Sequence, residues 1–226
     1  MLRLYDHRTG RAEPLPTGQG LRVQVLPGAG RRALVVADLL RRVAQRGGRR
    51  VRLVSTPPGT DDYADYSVAS LEVREEPLAD ADVYISDSVS GGVSRGADVD
   101  ALCLAVPAET GGSPSDAATA RLAMLEVPYR EPADLSDARL SSAAERLDAW
   151  RRKVAEWATS PGRPMSRGYA TEAEAALADD LDSAGALTVL DRLAADPDVP
   201  PGAKLETFIH LDMVLALGLV SAIGTA

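Results

Sequence analysis

The stretch that decides the fold is residues 21–54, which read LRVQVLPGAGRRALVVADLLRRVAQRGGRRVRLV. Residues 21–26 form a short apolar run between a glycine and a proline, which predicts a strand. In residues 31–46 apolar side chains recur at helical spacing, and a pair of glycines ends the pattern. Residues 51–54 predict a second strand. The stretch therefore predicts one strand–helix–strand unit of a parallel sheet.

Outside this stretch, the sequence predicts more strands before residue 115 and only helices after it. Two further apolar runs, residues 82–86 and 101–106, predict buried parallel strands. Helices are predicted over residues 115–126, 136–158, 167–180, 184–195 and 203–219. The predicted fold class is therefore α/β, with a small Rossmann-like parallel sheet in residues 1–115 and an α-helical bundle in residues 116–226.

Composition limits the classes of protein to which the chain can belong. Of its 226 residues, 45% are apolar and only 4% aromatic, so the core must consist mainly of Ala, Val and Leu. The one cysteine, Cys103, excludes an intrachain disulfide and is expected to be a buried, inert thiol. The N-terminus has no signal-peptide pattern, and no apolar stretch is long enough to cross a bilayer. We therefore expect a cytoplasmic protein without a membrane segment.

Charge is distributed unevenly along the chain, whose formal net charge is −8. Residues 1–60 contain twelve arginines and three acidic residues, whereas residues 61–226 contain thirteen basic and thirty acidic residues. Such asymmetry can mark a nucleic-acid-binding face. The alternative is that Arg41, Arg42, Arg46, Arg49 and Arg50 solvate a helix and a turn, with acidic side chains from the other domain nearby. We favour this alternative.

The loop between the first strand and the helix is the first candidate binding site. Gly28, Gly30, Arg31 and Arg32 lie where a helix begins, and free N–H groups and the helix dipole favour an anion there. The two arginines could add charge-assisted hydrogen bonds to a phosphate. These four residues are candidates for binding an anion or a nucleotide such as ATP. The alternative is a tight turn that requires glycine.

Asp61 and Asp62 are candidates for binding the amine of a ligand, because they follow the C-terminal end of a predicted strand. Open α/β sheets bind ligands at that edge. The alternative is an acidic loop that caps a helix over residues 66–70. The chain's two histidines, His7 and His210, do not have the spacing of a metal site with Cys103, so no metal is expected.

Three stretches resemble the cysteinyl-tRNA synthetases and the related mycothiol cysteine ligases. The first is the opening MLRLYDHRTG (residues 1–10), with the helix and strand that follow and the acidic residues 60–62. The second is RLAMLEVPYREPADLSD (residues 121–137). The third combines ADDLDSAGAL (residues 178–187) with KLETFIHLDMVLALGL (residues 204–219). The resemblance implies a remnant of a HUP-type nucleotidyl-transferase sheet, followed by the linker and the DALR-type helical region of that family.

The chain lacks the residues with which this family binds ATP and zinc. Counting back from Asp38, the family's His-x-Gly-His tetrad falls on Pro27, Gly28, Ala29 and Gly30, so both histidines are missing. The second ATP signature, Lys-Met-Ser-Lys-Ser, does not occur in the chain, and neither do the zinc-binding cysteines. The resemblance therefore implies a truncated, degenerate paralogue, a pseudoenzyme in which no catalytic residue is assigned.

Three functions are compatible with this resemblance. We favour a non-catalytic protein that acts by binding a protein or a small ligand; no cofactor is assigned, and ATP is kept as a candidate. A residual ATP-dependent cysteine ligase or transferase would use Arg31 and Arg32 for phosphate, and Asp61 or Asp62 for an amine. A tRNA-binding accessory factor is supported by the basic first quarter but opposed by the overall acidity and the low aromatic content, so tRNA is not expected as a partner.

Overall fold

The computed structural model describes residues 1–56, 66–68, 71–87, 101–112 and 116–224. Its strands are β1 (Arg3–Asp6), β2 (Arg11–Pro14), β3 (Gly20–Val25), β4 (Arg50–Ser55), β5 (Leu71–Val73), β6 (Val83–Ser86), β7 (Leu102–Ala105), β8 (Thr110–Gly111) and β9 (Asp134–Leu135). Its helices are α1 (Arg31–Arg46), α2 (Ala117–Leu125), α3 (Asp137–Trp157), α4 (Arg167–Ala178), α5 (Ser183–Ala195) and α6 (Pro201–Leu215). Asp61 and Asp62 lie outside the described residues.

Five of the strands form a parallel sheet in the order β5-β4-β3-β6-β7. The first strand of this sheet along the chain, β3, lies at its centre, and the later strands are added first on one side and then on the other. Numbered along the chain within this sheet, the order is 3-2-1-4-5, which is that of the first five strands of a Rossmann fold, in which the strand order reverses next to the first strand. The predicted class, a Rossmann-like parallel sheet followed by a helical region, is confirmed.

Side chains alternate between the two faces of this sheet, as they must along a strand. Val23, Leu53 and Ile85 belong to the main hydrophobic core, on the face that α1 covers. The next side chains along the strands, such as Tyr84 and Cys103, belong to a smaller cluster on the other face. Burial raises the pKa of the Cys103 thiol, so the protonated, unreactive form is favoured.

Two local predictions are wrong. A strand does occur after residue 115, because β9 pairs in parallel with β8. A two-residue strand carries no periodic signal, and this one forms only because two distant segments meet. The helix considered over residues 66–70 is contradicted in its described part. Tyr66 and Ser67 form a turn, and Ser67 has a φ of 59°, in the left-handed region that a right-handed helix cannot contain.

The five predicted helices after residue 115 are all present, and the largest difference is at the end of α6. This helix ends at Leu215, where Ala216 adopts a left-handed conformation with a φ of 54°. The carboxylate of Asp212 then accepts the main-chain N–H groups of Leu217 and Leu219 at 2.7 and 2.8 Å. The periodic apolar pattern continues past this point, but the backbone turns away, as it commonly does at a left-handed cap.

A buried charge network joins α1 to α2. Asp38 of α1 is fully buried, and its Oδ1 accepts a hydrogen bond from Arg41 Nη2 at 2.5 Å. Its Oδ2 accepts from Arg42 Nε and from Arg121 Nη2, both at 2.8 Å. The negative charge of one carboxylate therefore pairs with three guanidinium groups. One of these three arginines, Arg121, is itself fully buried.

The same arginines hold the C-terminal end of α6. Arg42 donates to the carbonyl of Met213 at 3.0 Å, and Arg121 donates to the carbonyl of Leu215 at 2.7 Å. Arg151 of α3 donates to two carbonyls just beyond the helix. The last turn of a helix carries unpaired carbonyls and partial negative charge. Three helices therefore supply cations to the end of a fourth.

Several arginines of the first sixty residues form ion pairs with acidic side chains from later in the chain. Arg46 pairs with Glu174 of α4 at 3.0 Å, and Arg52 pairs with Glu72 of β5 at 2.8 Å. The pair of Arg46 and Glu174 matches the alternative explanation of the charge asymmetry, in which acids from the helical domain lie near these arginines. Arg52 and Glu72 both lie in residues 1–115, so their pair does not bear on it. In the described part of the chain, no helix is both long enough and apolar enough to span a membrane.

Candidate anion site at the start of helix α1

The loop between β3 and α1 lies at the C-terminal edge of the sheet, at the point where the strand order reverses. In open α/β sheets this is the position of the ligand-binding crevice. The loop is joined to the neighbouring strand, because the Leu26 N–H donates to the carbonyl of Ile85 at 2.9 Å. Gly28 has a φ of 83°, so glycine is required for the turn itself. Gly30 precedes the helix and has an ordinary φ of −73°.

The carboxylate of Glu109 occupies the start of the helix. Its Oε1 accepts a hydrogen bond from Arg31 Nε at 2.7 Å, and its Oε2 accepts the main-chain N–H of Arg32 at 3.2 Å. The side chain of Glu109 is only 8% exposed. A carboxylate that accepts N–H groups at a helix N-terminus is in the position that favours an anion. The chain itself therefore supplies the anion at the predicted site.

The guanidinium of Arg31 is held by Glu109 and by a second side chain, that of Tyr66. It donates to the Tyr66 hydroxyl at 3.2 Å and lies 5.9 Å from the centre of that ring. The hydrogen bond to Glu109 is the main reason that the pKa of Arg31 is raised, so the cation is favoured further. Because the side chain of Arg31 remains 26% exposed, the edge of the site faces solvent.

Arg32 has a different role, although it is the next residue. Its side chain is fully buried, and it donates to the carbonyls of Val127, Pro128 and Glu131. Burial lowers the pKa of Arg32 to about 10, so the group is still charged at neutral pH. Its Nε has no hydrogen-bond partner. The guanidinium therefore joins α1 to the segment between α2 and β9, and only its main-chain N–H faces Glu109.

The pairing of β8 with β9 holds Glu109 in place. The N–H of Thr110 donates to the carbonyl of Ala133 at 2.9 Å, directly after Glu109 in the chain. Gly111 has a φ of 106°, and a Cβ at this position would lie 2.8 Å from the carbonyl carbon and oxygen of Leu135. Both the backbone conformation and the close approach require glycine.

Replacing Gly111 with alanine is therefore expected to lower the free energy of unfolding by about 1–3 kcal/mol, the usual range for strained backbone positions. Urea denaturation of the two proteins measures this difference. Gly112→Ala is the matched control, because a Cβ there would meet only ordinary contacts, at 3.9 and 4.0 Å. Equal stability of the Gly111 variant and the wild type would contradict the expected strain.

Two residues of this site, Glu109 and Tyr66, are not predicted from the sequence. Neither belongs to a motif with the loop at the start of α1. One signal was present for Glu109: it follows the strand predicted over residues 101–106, and the C-terminal ends of parallel strands lie at one edge of a sheet. The predicted residues Gly30, Arg31 and Arg32 do lie together at this edge.

A separate cavity lies at the other end of α1. It has a volume of about 710 Å³ and is bordered by the ion pair of Arg46 and Glu174. The rest of its lining is mainly apolar, namely Met1, Leu2, Val43, Gly47, Leu177, Ala178 and Val214. Because α1 has 16 residues, the cavity is about 24 Å from the start of the helix. Among the described residues, no group of three His, Cys, Asp or Glu side chains could hold a metal ion.

The fold and the site together define a Rossmann-type α/β protein in which an internal carboxylate covers the start of the first crossover helix. Sequence comparison gives its relatives. Over 80 residues the chain is 42% identical to the L-cysteine:1D-myo-inositol 2-amino-2-deoxy-alpha-D-glucopyranoside ligase of Streptomyces griseus. It is 36% identical over 111 residues to the protein of the same name from Thermobifida fusca, and 35% identical over 105 residues to that from Xylanimonas cellulosilytica.

These matches cover 35%, 46% and 46% of this chain, respectively. They span 19%, 26% and 25% of the relatives, so the matched region is about a fifth to a quarter of their length. No family model matches the chain. The resemblance to the mycothiol cysteine ligases, which belong with the cysteinyl-tRNA synthetases, is confirmed over these matched parts of the chain.

Proposed function

We propose that the chain is a cytoplasmic, non-catalytic relative of the cysteine ligases that acts by binding a protein or a small ligand. The observation that carries this proposal is the position of the Glu109 carboxylate. It accepts hydrogen bonds from Arg31 and from the N–H of Arg32, at the start of the helix to which the resemblance assigns the phosphates of ATP. A phosphate and a carboxylate cannot share these donors, because two anions at hydrogen-bond distance repel each other.

The loop itself supports the same proposal. At the four positions of the family's tetrad, Pro27, Gly28, Ala29 and Gly30 offer no side-chain hydrogen-bond donor. Loss of one group that stabilises charge in a transition state typically lowers the rate about 10²–10³-fold. From the missing histidines and the added negative charge, we therefore expect that the chain does not form an adenylate.

The identity to ligases favours one alternative, a residual ATP-dependent cysteine ligase. This function would require Glu109 to leave the start of α1, because Arg31 is otherwise occupied. It would also have to proceed without the guanidinium of Arg32, which is bonded to three carbonyls. We therefore place it second.

ATP–pyrophosphate exchange with L-cysteine tests the proposal, with the Streptomyces griseus ligase as positive control. We expect no exchange above background. By calorimetry, we also expect no binding of ATP or of a cysteinyl-sulfamoyl adenosine analogue tighter than about 100 μM, which corresponds to about 5.5 kcal/mol. Exchange that is lost in Arg31→Met would establish the residual ligase instead. Arg31 is the residue to change, because replacing the buried Arg32 would disturb the fold.

A further inference from the structure

We propose that the cavity at the C-terminal end of α1 binds a small amphipathic anion, namely a free aliphatic carboxylate of medium chain length. This cavity is about 24 Å from the start of α1, so it is separate from the candidate anion site. The inference goes beyond the proposed function, because it names a second site and a class of ligand. It holds whether or not the chain is catalytic.

The size and the walls of the cavity fit a small molecule. Its wall consists of the ends of α1 and α4, the last turn of α6 and the two residues that precede β1. Helix α6 packs against both α1 and α4, so these walls are fixed parts of the fold. The volume of about 710 Å³ lies within the range of about 300–1,000 Å³ that is usual for small-molecule sites.

The lining favours an aliphatic body for the ligand. Apart from Arg46 and Glu174, the residues that border the cavity are apolar or glycine. Among these described lining residues, none has an aromatic ring to stack on a base, and none has an amide or a hydroxyl group to bond a sugar. The lining therefore fits an alkyl chain, and it offers no specific contact to a nucleoside.

One side of the cavity is polar, and its hydrogen-bond donors fit a carboxylate. Glu174 Oε1 accepts from Arg46 Nε at 3.0 Å and is 2.7 Å from His210 Nε2. Arg46 also contacts the ring of His210. A ligand carboxylate in the place of this oxygen would meet the same two groups, and a guanidinium binds carboxylates well. A cationic head group would instead be repelled by Arg46.

Glu174 competes with such a ligand for Arg46. Burial opposes its charged form, but hydrogen bonds from His210 and Arg46 lower the pKa of Glu174, so it is a carboxylate at neutral pH. Its side chain is 42% exposed and has space to turn towards solvent, whereas that of His210 is only 19% exposed. We therefore expect a bound anion to displace Glu174 and to keep Arg46 and His210 as its partners.

Two methionines extend the apolar surface beside the cavity. Of the large apolar side chains in the described part of the chain, those of Met1 and Met213 are the most exposed, at 96% and 62%. Met1 lines the cavity, and Met213 lies one turn along α6 from His210. Methionine is unbranched and adapts to irregular apolar shapes. These two side chains are therefore available to cover an alkyl chain.

The test is calorimetric titration of the full chain at neutral pH with hexanoate, octanoate and decanoate, each below the concentration at which it forms micelles. We expect saturable binding of decanoate with a Kd below about 1 mM. Each buried methylene group is worth about fourfold in affinity, so decanoate should bind at least about tenfold more tightly than hexanoate. Absence of saturable binding, or equal affinity for the two acids, would overturn the inference.

A variant that fills the cavity locates the binding. Ala178→Leu adds bulk to a lining residue at the end of α4 and should weaken decanoate binding at least about tenfold. Ala175→Leu is the matched control, because Ala175 lies on the same helix, is exposed and does not line the cavity. Decanoate binding that Ala178→Leu does not weaken would place the ligand elsewhere and overturn the inference.

The head group is tested with octanoate and with 1-octanol, an uncharged molecule of the same chain length. Glu174→Gln removes the competing charge and keeps the shape, so it should tighten octanoate binding and leave octanol binding unchanged. This gain cannot arise from loss of the fold. Octanol that binds wild type as tightly as octanoate does would overturn the assignment of an anion. ATP–pyrophosphate exchange tests the proposed function separately, and none of these titrations bears on it.

Discussion

Replacing Asp38 with asparagine is expected to lower the free energy of unfolding by about 3–5 kcal/mol, the usual cost of breaking a buried ion pair on one side. Asp38 is the carboxylate to which Arg41, Arg42 and Arg121 all donate, and it is fully buried. A neutral amide would leave three guanidinium groups close together without a compensating anion. Because Arg121 is also fully buried, it cannot turn towards solvent to relieve this repulsion.

Urea denaturation and thermal unfolding of the Asp38→Asn variant measure this effect. For a chain of this length, the expected loss corresponds to a fall in Tm of roughly 10 °C. Asp80→Asn is the control, because Asp80 also pairs with an arginine, Arg22, but its side chain is 66% exposed. Exposed pairs contribute about 0–1 kcal/mol. A similar loss in both variants would show that the buried network does not have the role described.

Replacing Arg32 with methionine is expected to cost about 3 kcal/mol, whereas the same change at Arg31 should cost about 1 kcal/mol. Methionine keeps much of the apolar part of the side chain, so the difference reports mainly on the guanidinium. At Arg32 the variant leaves three carbonyls, those of Val127, Pro128 and Glu131, without their donor in a buried position. At Arg31 water can reach Glu109 from the exposed edge of the site.

The comparison of the two variants by chemical denaturation is informative because the residues are adjacent and identical in type. Stability losses of the same size would contradict the separate roles that the structure gives them. A larger loss of stability at Arg31 than at Arg32 would mean that the start of α1 is held mainly by the ion pair between Arg31 and Glu109. The hydrogen bonds from Arg32 to the segment between α2 and β9 would then be less important.

Much of the fold could be predicted because the long elements carry repeated apolar patterns. Helices α1 and α3 begin and end within about one residue of their predicted bounds, since each buries one stripe of side chains over several turns. Short apolar runs predict strands β3, β4, β6 and β7. The short pair β8 and β9 was missed, because two residues contain no period and form a strand only through contact with each other.

The candidate site could be predicted only in part. Strand and helix signals correctly placed Gly28, Gly30, Arg31 and Arg32 at the start of α1. The sequence could not separate Arg31 from Arg32, because a rotation of about 100° between neighbours in a helix decides which of them is buried. Nor could it identify Glu109, which follows Arg31 by 78 residues and reaches it only through the arrangement of the sheet.

The contacts of the arginines at the end of α6 bear on how the protein responds to local unfolding. Arg42 belongs to the helix that covers the sheet, Arg121 and Arg151 belong to the helices after it, and each donates to different carbonyls at or just beyond the end of α6. If α6 frays, each of these cations loses a carbonyl partner, while Arg42 and Arg121 keep their hydrogen bonds to Asp38. We therefore expect α1 and the end of α6 to be coupled in local unfolding, so that a substitution at the end of α6 changes the exchange of amide protons in α1.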